Sequence, residues 1–361
     1  MERFKTAGKI KTGTGNKIGI SAVMAVSGCI LLMISPSLSV AAAEKGIQLW
    51  LFTVIPSLLP FFVFTDMIVK SGLHIKAGSL FEKPVRFIMG THGVSAFAFI
   101  TSLISGYPAG ARVIGELRRN NEIDDMEVSD MLSFCSTSGP LFIVGAVGTG
   151  MLGSATAGYV ILVSHYISSV ITGIFYAENS ILNRKDKLQK RRTENRNRYQ
   201  YNNPGGGTPR GFADIMGQSI LSAFKTMFII GGYIVIFSVI TEYICHFMPG
   251  LLNMVFKIIP AGVSGNLSAV FGNSADFMVT VASGILEMTV GCGRIAAFQG
   301  ISLDVMMIVC SFFVSFGGIS VAAQSMSVLE GCDIKMTDFL KMKFFQGIVS
   351  AAVTMGIIWF I

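Results

Sequence analysis

One stretch of apolar sequence is interrupted twice by residues that end helices. It runs from Ser105 to Pro140, beginning with Ser-Gly-Tyr-Pro-Ala-Gly and ending with Ser-Thr-Ser-Gly-Pro. A soluble loop would be polar, and a plain membrane helix would not carry Gly, Pro and Ser in such clusters. Broken backbone within a membrane is tolerated only where it is buried in protein or lines a cavity. The stretch therefore predicts a substrate site.

Composition places the chain in a membrane. Of its 361 residues, 52% are hydrophobic and 14% are charged, and the mean hydropathy is +0.63. Soluble domains carry about 25% charged residues, so the composition predicts an all-α polytopic membrane protein whose partner is the lipid bilayer.

The positive charge is concentrated in one segment. Residues 179–212 carry nine basic and two acidic residues, a difference equal to the net charge of +7. Such a run could bind nucleic acid, but in a membrane protein it indicates a cytoplasmic loop, and we expect no nucleic-acid partner. With its Pro-Gly-Gly-Gly at 204–207, this loop is interpreted as a disordered linker.

The chain divides into four parts. Residues 1–45 hold a basic N-terminus and a first membrane helix, since Ile18–Val40 is long enough to span. A basic start followed by Ala41–Ala43 also resembles a signal peptide, but the length of the apolar run favours a retained helix. Residues 46–178 and 213–361 form two repeats on either side of the linker.

Each repeat is predicted to hold three spans and one interrupted hairpin, which makes about seven spans in all. The basic residues Lys70, Lys76, Lys83 and Arg86, and later Lys335, Lys341 and Lys343, place their loops and the N-terminus in the cytoplasm. The predicted spans are Gly46–Val69, Met131–Met151, Ala155–Ala177, Ser219–Cys245, Ile301–Val328 and Phe344–Ile361, and the interrupted segments are Gly93–Leu117 and Asn266–Ala297.

The segment Gly93–Leu117 admits two interpretations. Its first arm, Gly93–Ile104, is too short to cross comfortably, and basic residues flank both ends of the segment. We interpret it as a re-entrant hairpin that enters from the cytoplasm and returns there. The alternative is an ordinary kinked helix that crosses the membrane.

The two repeats align at a fixed offset of 178 residues. Over residues 99–139 there are eight identities in 41 positions without a gap, and they include the break residues Ser105 with Ser283, Gly106 with Gly284, and Gly139 with Gly317. Because three spans is an odd number, the second repeat is predicted to be inverted in the membrane. Inverted repeats with discontinuous helices are a transporter architecture with the site between the repeats.

The candidate substrate-binding residues lie at these breaks. The N–H groups of a broken helix attract anions, and hydroxyl groups beside them donate and accept hydrogen bonds; the alternative is that the hydroxyls bond to their own helices. The candidates are Ser105, Gly106, Tyr107, Pro108, Arg112, Ser136, Thr137, Ser138, Gly139, Ser283, Gly284, Glu287, Gly317 and Gln324.

Two of these candidates are charged. Arg112 either grips a carboxylate of the substrate or faces the cytoplasm paired with Glu116. Glu287 could bind a proton, a cation or an N–H group of the substrate. Asn273 and Asp276 are weaker polar candidates, and His165 is expected to be a packed helix residue.

The sequence shows no sign of an enzyme. It contains no nucleotide-phosphate loop, zinc motif, serine elbow or paired acid–base set, and none of its six cysteines forms a C-x-x-C pair. We expect no catalytic residue, metal or cofactor.

Five motifs carry a resemblance to a known family. They are Pro56–Phe62, Ser105–Ala111, Ser138–Ile143, Gly284–Thr289 and Ser315–Gln324. They resemble the YlbJ-type sporulation integral membrane proteins, in order, over roughly residues 46–361. That family belongs to the nucleoside-recognition or gate domain group, which is similar in architecture to concentrative nucleoside transporters.

The resemblance implies a spore-forming Firmicute and transport of a small anionic metabolite during endospore formation. It suggests dipicolinate, moved from the mother cell across the outer forespore membrane. A nucleoside or nucleobase transporter and a non-transporting structural protein of sporulation are the alternatives. Partnership with a second copy or with other sporulation membrane proteins is left open.

Overall fold

The computed structural model describes residues 19–74, 76, 94–198, 211–258, 274–329 and 331–360. Several features predicted from the sequence lie outside these residues. They are the basic residues 1–17, the loop lysine and arginine at Lys83 and Arg86, the glycines at 205–207, and the polar candidate Asn273.

Every regular element in the described part of the chain is helical, which confirms the predicted all-α class. The helices are α1 (Ile20–Ile34), α2 (Pro36–Leu49), α3 (Ile55–Lys70), α4 (Val94–Ser105), α5 (Ala109–Arg119), α6 (Asp125–Leu132), α7 (Ala155–Arg198), α8 (Phe212–Ile258), α9 (Ser274–Leu286), α10 (Met288–Ala296), α11 (Leu303–Phe316), α12 (Gly318–Val328) and α13 (Met336–Phe360). Two π-helical segments, Trp50–Val54 and Leu141–Met151, complete the list.

The first apolar run, predicted to form one membrane helix, is bent in the structure. The axes of α1 and α2 differ by 108° across Ser35. Pro36 begins α2, and because proline fixes its own φ and lacks an N–H, it favours the first turn of a new helix. Helical backbone then continues from Pro36 to Lys70, through the π-helical segment that directly precedes Ile55.

Among the residues that the structure describes, four helices are long and apolar enough to cross a membrane, or five if the bent pair counts as one span. They are Ala155–Tyr176, Phe212–Gly250, Leu303–Val328 and Met336–Phe360. The interrupted segments predicted from the sequence contain the shorter apolar helices Val94–Ser105 and Asp276–Leu286, and a third, Leu141–Met151, lies in the predicted span Met131–Met151. By length and composition, the described residues therefore provide four or five candidate spans, and the predicted number of about seven stays a prediction.

The basic segment after the fourth predicted span is not a disordered linker throughout. Helix α7 continues to Arg198, about 20 residues beyond the end predicted at Ala177. Lysine and arginine are good helix formers, so a basic run can extend a helix into water.

The helix breaks recur at corresponding positions in the two halves. Helix α4 ends at Ser105 and α5 begins at Ala109, while α9 ends at Leu286 and α10 begins at Met288. In the first half, residues 133–139 separate α6 from the second π-helical segment; in the second half, Gly317 separates α11 from α12. At the offset of 178, Gly139 falls on Gly317, so both interruptions have a matching partner.

Within each half the two breaks pack directly on one another. A Cβ atom added to Gly106 would lie 2.5 Å from the backbone nitrogen of Gly139, and one added to Gly318 would lie 2.9 Å from the carbonyl oxygen of Leu286. Gly106 and Gly318 also have φ values of +86° and +76°, which other residues rarely adopt. Glycine therefore allows both the turn and the close approach.

Gly110 tests this close packing. A methyl group there would lie 1.8 Å from the carbonyl oxygen of Cys135. We expect Gly110→Ala to lower the free energy of unfolding in micelles by about 1–3 kcal/mol, because helix α5 must move away. Gly293→Ala is the matched control: that glycine is also helical but has no atom within 4 Å of its added methyl group. It should be neutral or gain up to about 1 kcal/mol. Equal stability of the two variants would contradict the packing.

Candidate functional site

The breaks enclose a cavity of about 190 Å³. Both halves contribute to its wall, together with α3 and α8. Its apolar lining includes Leu58, Phe142, Ile230 and Val321. Seven of the predicted site residues line it: Ser105, Gly106, Tyr107, Ser138, Gly139, Glu287 and Gln324.

The cavity has few polar side chains, and some of them already form hydrogen bonds within the protein. The carboxylate of Glu287 accepts a hydrogen bond from Val290 N at 2.8 Å and so caps the start of α10. The amide nitrogen of Gln324 donates to Ser320 Oγ at 3.1 Å. The hydroxyl of Ser105 is buried without a hydrogen-bond partner. The Ser105 hydroxyl therefore has capacity left for a ligand, and so does the Glu287 carboxylate, which also interacts with Thr289 but whose two oxygens accept up to about four hydrogen bonds.

Two N–H groups in the break at residues 133–139 are already engaged, whereas the sequence predicted that they attract an anion. Thr137 N donates to Ser102 Oγ at 3.0 Å, and Ser138 N donates to His165 Nε2 at 2.8 Å. Buried backbone groups must be paired, and these two side chains satisfy that need before any substrate arrives.

His165 forms hydrogen bonds to both halves of the chain, and these bonds fix its tautomer. Its Nε2 accepts from Ser138 N, so its proton lies on Nδ1, which contacts Ser315 Oγ at 2.7 Å. The ring is fully buried. Both nitrogens are therefore occupied, and His165 is a packed helix residue as the sequence indicated.

Lys343 is the residue that sequence reasoning missed. It was assigned to a cytoplasmic loop, but α13 begins at Met336 and Lys343 is only 1% exposed. Its Nζ donates to Tyr107 Oη and to the carbonyl oxygen of Ser136, both at 2.7 Å, and to Gln346 Oε1. A signal was present in the sequence: Lys343, Gln346, Ser350 and Thr354 are polar residues at helical spacing.

Arg112 lies in a buried ionic cluster and does not line the cavity. Its guanidinium donates to the carbonyl oxygen of Phe62 and to Ser222 Oγ, both at 3.0 Å, and pairs with Asp66 at 3.3 Å. Asp66 also contacts Lys70 at 2.6 Å. The cluster therefore joins α3, α5 and α8, and the cytoplasm-facing alternative does not hold either, since Arg112 is 5% exposed.

The remaining predicted residues lie behind the cavity wall. Ser136 binds Lys343 through its carbonyl oxygen, and Thr137 Oγ1 contacts Ser102 Oγ at 2.6 Å. Ser283 Oγ donates to its own helix at Thr280 O. Gly284 packs on the ring of Phe313, and Gly317 lies close to Tyr107. Pro108 precedes α5 as its N-cap residue.

Comparison with known proteins confirms the predicted resemblance. The chain is similar to the sporulation integral membrane protein YlbJ of Bacillus subtilis (strain 168), with 29% identity over 331 residues that cover 90% of this chain and 78% of the relative. No protein-family model matches the chain.

A solved structure of a doubly substituted CNTnw in an outward-facing state shares 12% identity with the chain. The match covers 94% of this chain and 88% of the other, with a TM-score of 0.40. At that score the likeness supports no conclusion about fold or function.

The position of Arg112 leads to a prediction about stability. We expect Arg112→Met to cost about 3–5 kcal/mol of unfolding free energy in micelles, because it leaves Asp66 buried with one cation fewer. The matched control is Arg118→Met, which removes a partly exposed pair with Asp125 and should cost at most about 1 kcal/mol. Normal stability with transport abolished would instead make Arg112 a ligand of the substrate.

Proposed function

We propose that this YlbJ-type sporulation membrane protein is a transporter that moves a small metabolite across a membrane during endospore formation. The observation that carries the proposal is the convergence of the helix breaks of both halves on one cavity. Discontinuous helices around a buried site are how many secondary transporters hold their substrates.

The proposed architecture is a pair of inverted repeats, each with three crossings and one re-entrant hairpin. The matching break positions and the paired contacts at Gly106 and Gly318 support the duplication. The charge pattern supports the inversion, since the loop before the first hairpin is basic and the loop before the second is not. In this architecture the N-terminus would be cytoplasmic. The family resemblance suggests that the protein lies in the outer forespore membrane.

Two substrate classes are candidates, one suggested by the family resemblance and the other by the residues that line the cavity. The family resemblance suggests dipicolinate, a planar dianion. The cavity favours a neutral solute that donates hydrogen bonds, such as a nucleoside or nucleobase, because Glu287 is acidic and none of the described lining residues is Lys, Arg or His. A dianion beside Glu287 requires the carboxyl to be protonated or a cation to lie between them.

The deciding experiment measures uptake into proteoliposomes of labelled dipicolinate, a nucleoside, a nucleobase and an amino-acid control. Saturable uptake of dipicolinate alone, or of nucleoside or nucleobase alone, identifies the substrate class. Absence of uptake of all of them by protein that remains folded would overturn the proposal in favour of a structural role.

The substitution Glu287→Gln distinguishes the two candidate substrates, because it should change uptake in opposite directions for each. If the substrate donates a hydrogen bond to it, Glu287→Gln should lower uptake about 10- to 100-fold, because a charged hydrogen bond is lost. If the substrate is a dianion, the same change should raise uptake, since a like charge is removed. Uptake is measured against Asp304→Asn, which neutralises an exposed carboxylate outside the cavity wall and should match the unmodified protein. Unchanged uptake in Glu287→Gln would contradict a role for Glu287 in either case.

A further inference from the structure

We propose that Lys343 is a proton-binding site, reached through a row of buried polar side chains on α13 and linked to the cavity by Tyr107. The cavity wall does not include Lys343, and the similarity to YlbJ gives it no role. The binding of the proton stands independently of transport, whereas its use in transport rests on the proposed function.

The surroundings of Lys343 are unusual for a charged side chain. It is 1% exposed, and its hydrogen bonds go to a phenol, a carbonyl and an amide oxygen. No carboxylate among the described residues pairs with it. A cation at membrane depth without a counter-charge is costly and marks a functional position. A lysine in such a place is also one that exchanges its proton readily, because desolvation penalises the ammonium form.

A row of polar side chains leads away from Lys343 along α13. Gln346, Ser350 and Thr354 follow at spacings of three, four and four residues, which places them on one face of the helix. All three are fully buried, and Gln346 Nε2, Ser350 Oγ and Thr354 Oγ1 have no hydrogen-bond partner. Buried groups of this kind are normally satisfied by ordered water. The row covers about 16 Å of the helix, roughly half the thickness of a hydrocarbon core.

Most buried hydroxyls on the helices that neighbour α13 are satisfied differently from those of this row. Helices α7 and α11 both pack against α13 and also bury hydroxyl groups. On those helices Ser168, Thr172 and Ser311 donate to carbonyl oxygens of their own turns, the common arrangement for hydroxyls in membrane helices, whereas Ser164 of α7 has no partner either. The hydroxyls of Ser350 and Thr354 do not donate in this way, so they remain available to water on a path to Lys343.

Tyr107 connects Lys343 to the cavity. Its ring lines the cavity wall and lies 4.8 Å from the ammonium nitrogen. The ammonium donates to three acceptors, Tyr107 Oη, Ser136 O and Gln346 Oε1. A neutral amine has only two N–H groups, so release of the proton leaves one of the three acceptors without a donor. Loss of the proton must therefore weaken contacts that hold the cavity wall and the first broken helix.

Two other titratable side chains lie near Lys343 in the described part of the chain. Tyr107 lies in the break between α4 and α5, and its hydroxyl is 3.2 and 3.3 Å from the carbonyl oxygens of Val314 and Ser315. His165 comes from α7, and both of its ring nitrogens are bonded. Helix α11 has its Asp304 exposed at its first turn, and α12 carries no charged residue. Lys343 is thus the group in this cluster that changes charge.

The first test measures proton binding without any substrate. Purified protein in micelles is titrated between about pH 5 and about pH 9, and its proton uptake is compared with that of Lys343→Met and Lys343→Arg. Both variants should take up one proton fewer than the unmodified protein, since methionine binds none and arginine releases none. Lys341→Met, in the same helix but 75% exposed and paired with Asp338, is the matched control and should equal the unmodified protein. Equal uptake by the folded Lys343→Arg variant and the unmodified protein overturns the proposal.

The second test concerns the use of the proton. In proteoliposomes, an imposed pH gradient should stimulate substrate uptake by the unmodified protein several-fold, and this stimulation should be lost in Lys343→Met and in Tyr107→Phe. Exchange of labelled for unlabelled substrate without a gradient should persist in Lys343→Met, because Lys343 does not line the cavity. Uptake that does not change with the pH gradient would overturn the proposed proton coupling but not the proposed transport function. A titrating Lys343 in a protein that transports nothing would instead overturn the proposed function.

Discussion

The structure depends on one requirement, that every polar backbone group within a membrane be paired inside the protein. Each helix break creates N–H and C=O groups that a continuous helix would have paired. Here side chains from neighbouring elements complete them: Ser102 and His165 bind the N–H groups of Thr137 and Ser138, and Glu287 caps α10. The breaks are therefore possible only where such partners meet, and one of these partners, His165, also contacts Ser315 of the second half.

The same requirement explains which parts of the fold and site could be predicted. Glycine, proline and hydroxyl clusters inside apolar sequence locate the breaks, and the offset of 178 residues pairs them before any coordinates are considered. Seven predicted residues line the cavity for that reason. The availability of their N–H groups could not be predicted, because it depends on Ser102 and His165, which approach from other elements.

Charged residues were the least predictable. The positive-inside rule assigns a lysine near a helix start to the cytoplasm, and it placed Lys335, Lys341 and Lys343 together. Lys341 is exposed as expected, but two residues later Lys343 faces inward because a helix turns by about 200° over that interval. Arg112 could be placed only with tertiary contacts, since its partners Asp66 and Ser222 lie 46 and 110 residues away in the sequence.

Several of the contacts between the halves are polar and concentrated at the breaks. Lys343 of the second half binds Tyr107 and Ser136 of the first, while Ser315 binds His165 and its carbonyl oxygen lies close to the Tyr107 hydroxyl. Any movement that opens the cavity by separating the halves must break these hydrogen bonds, and in a water-poor interior each lost partner is costly unless it is replaced. In the proposed transporter, a bound substrate could supply new hydrogen-bond partners, and a change in the protonation of Lys343 could change which hydrogen bonds it donates. In such a transporter, the breaks, the cavity and the buried lysine therefore act together, and occupancy of the site would alter how firmly the two halves are held together.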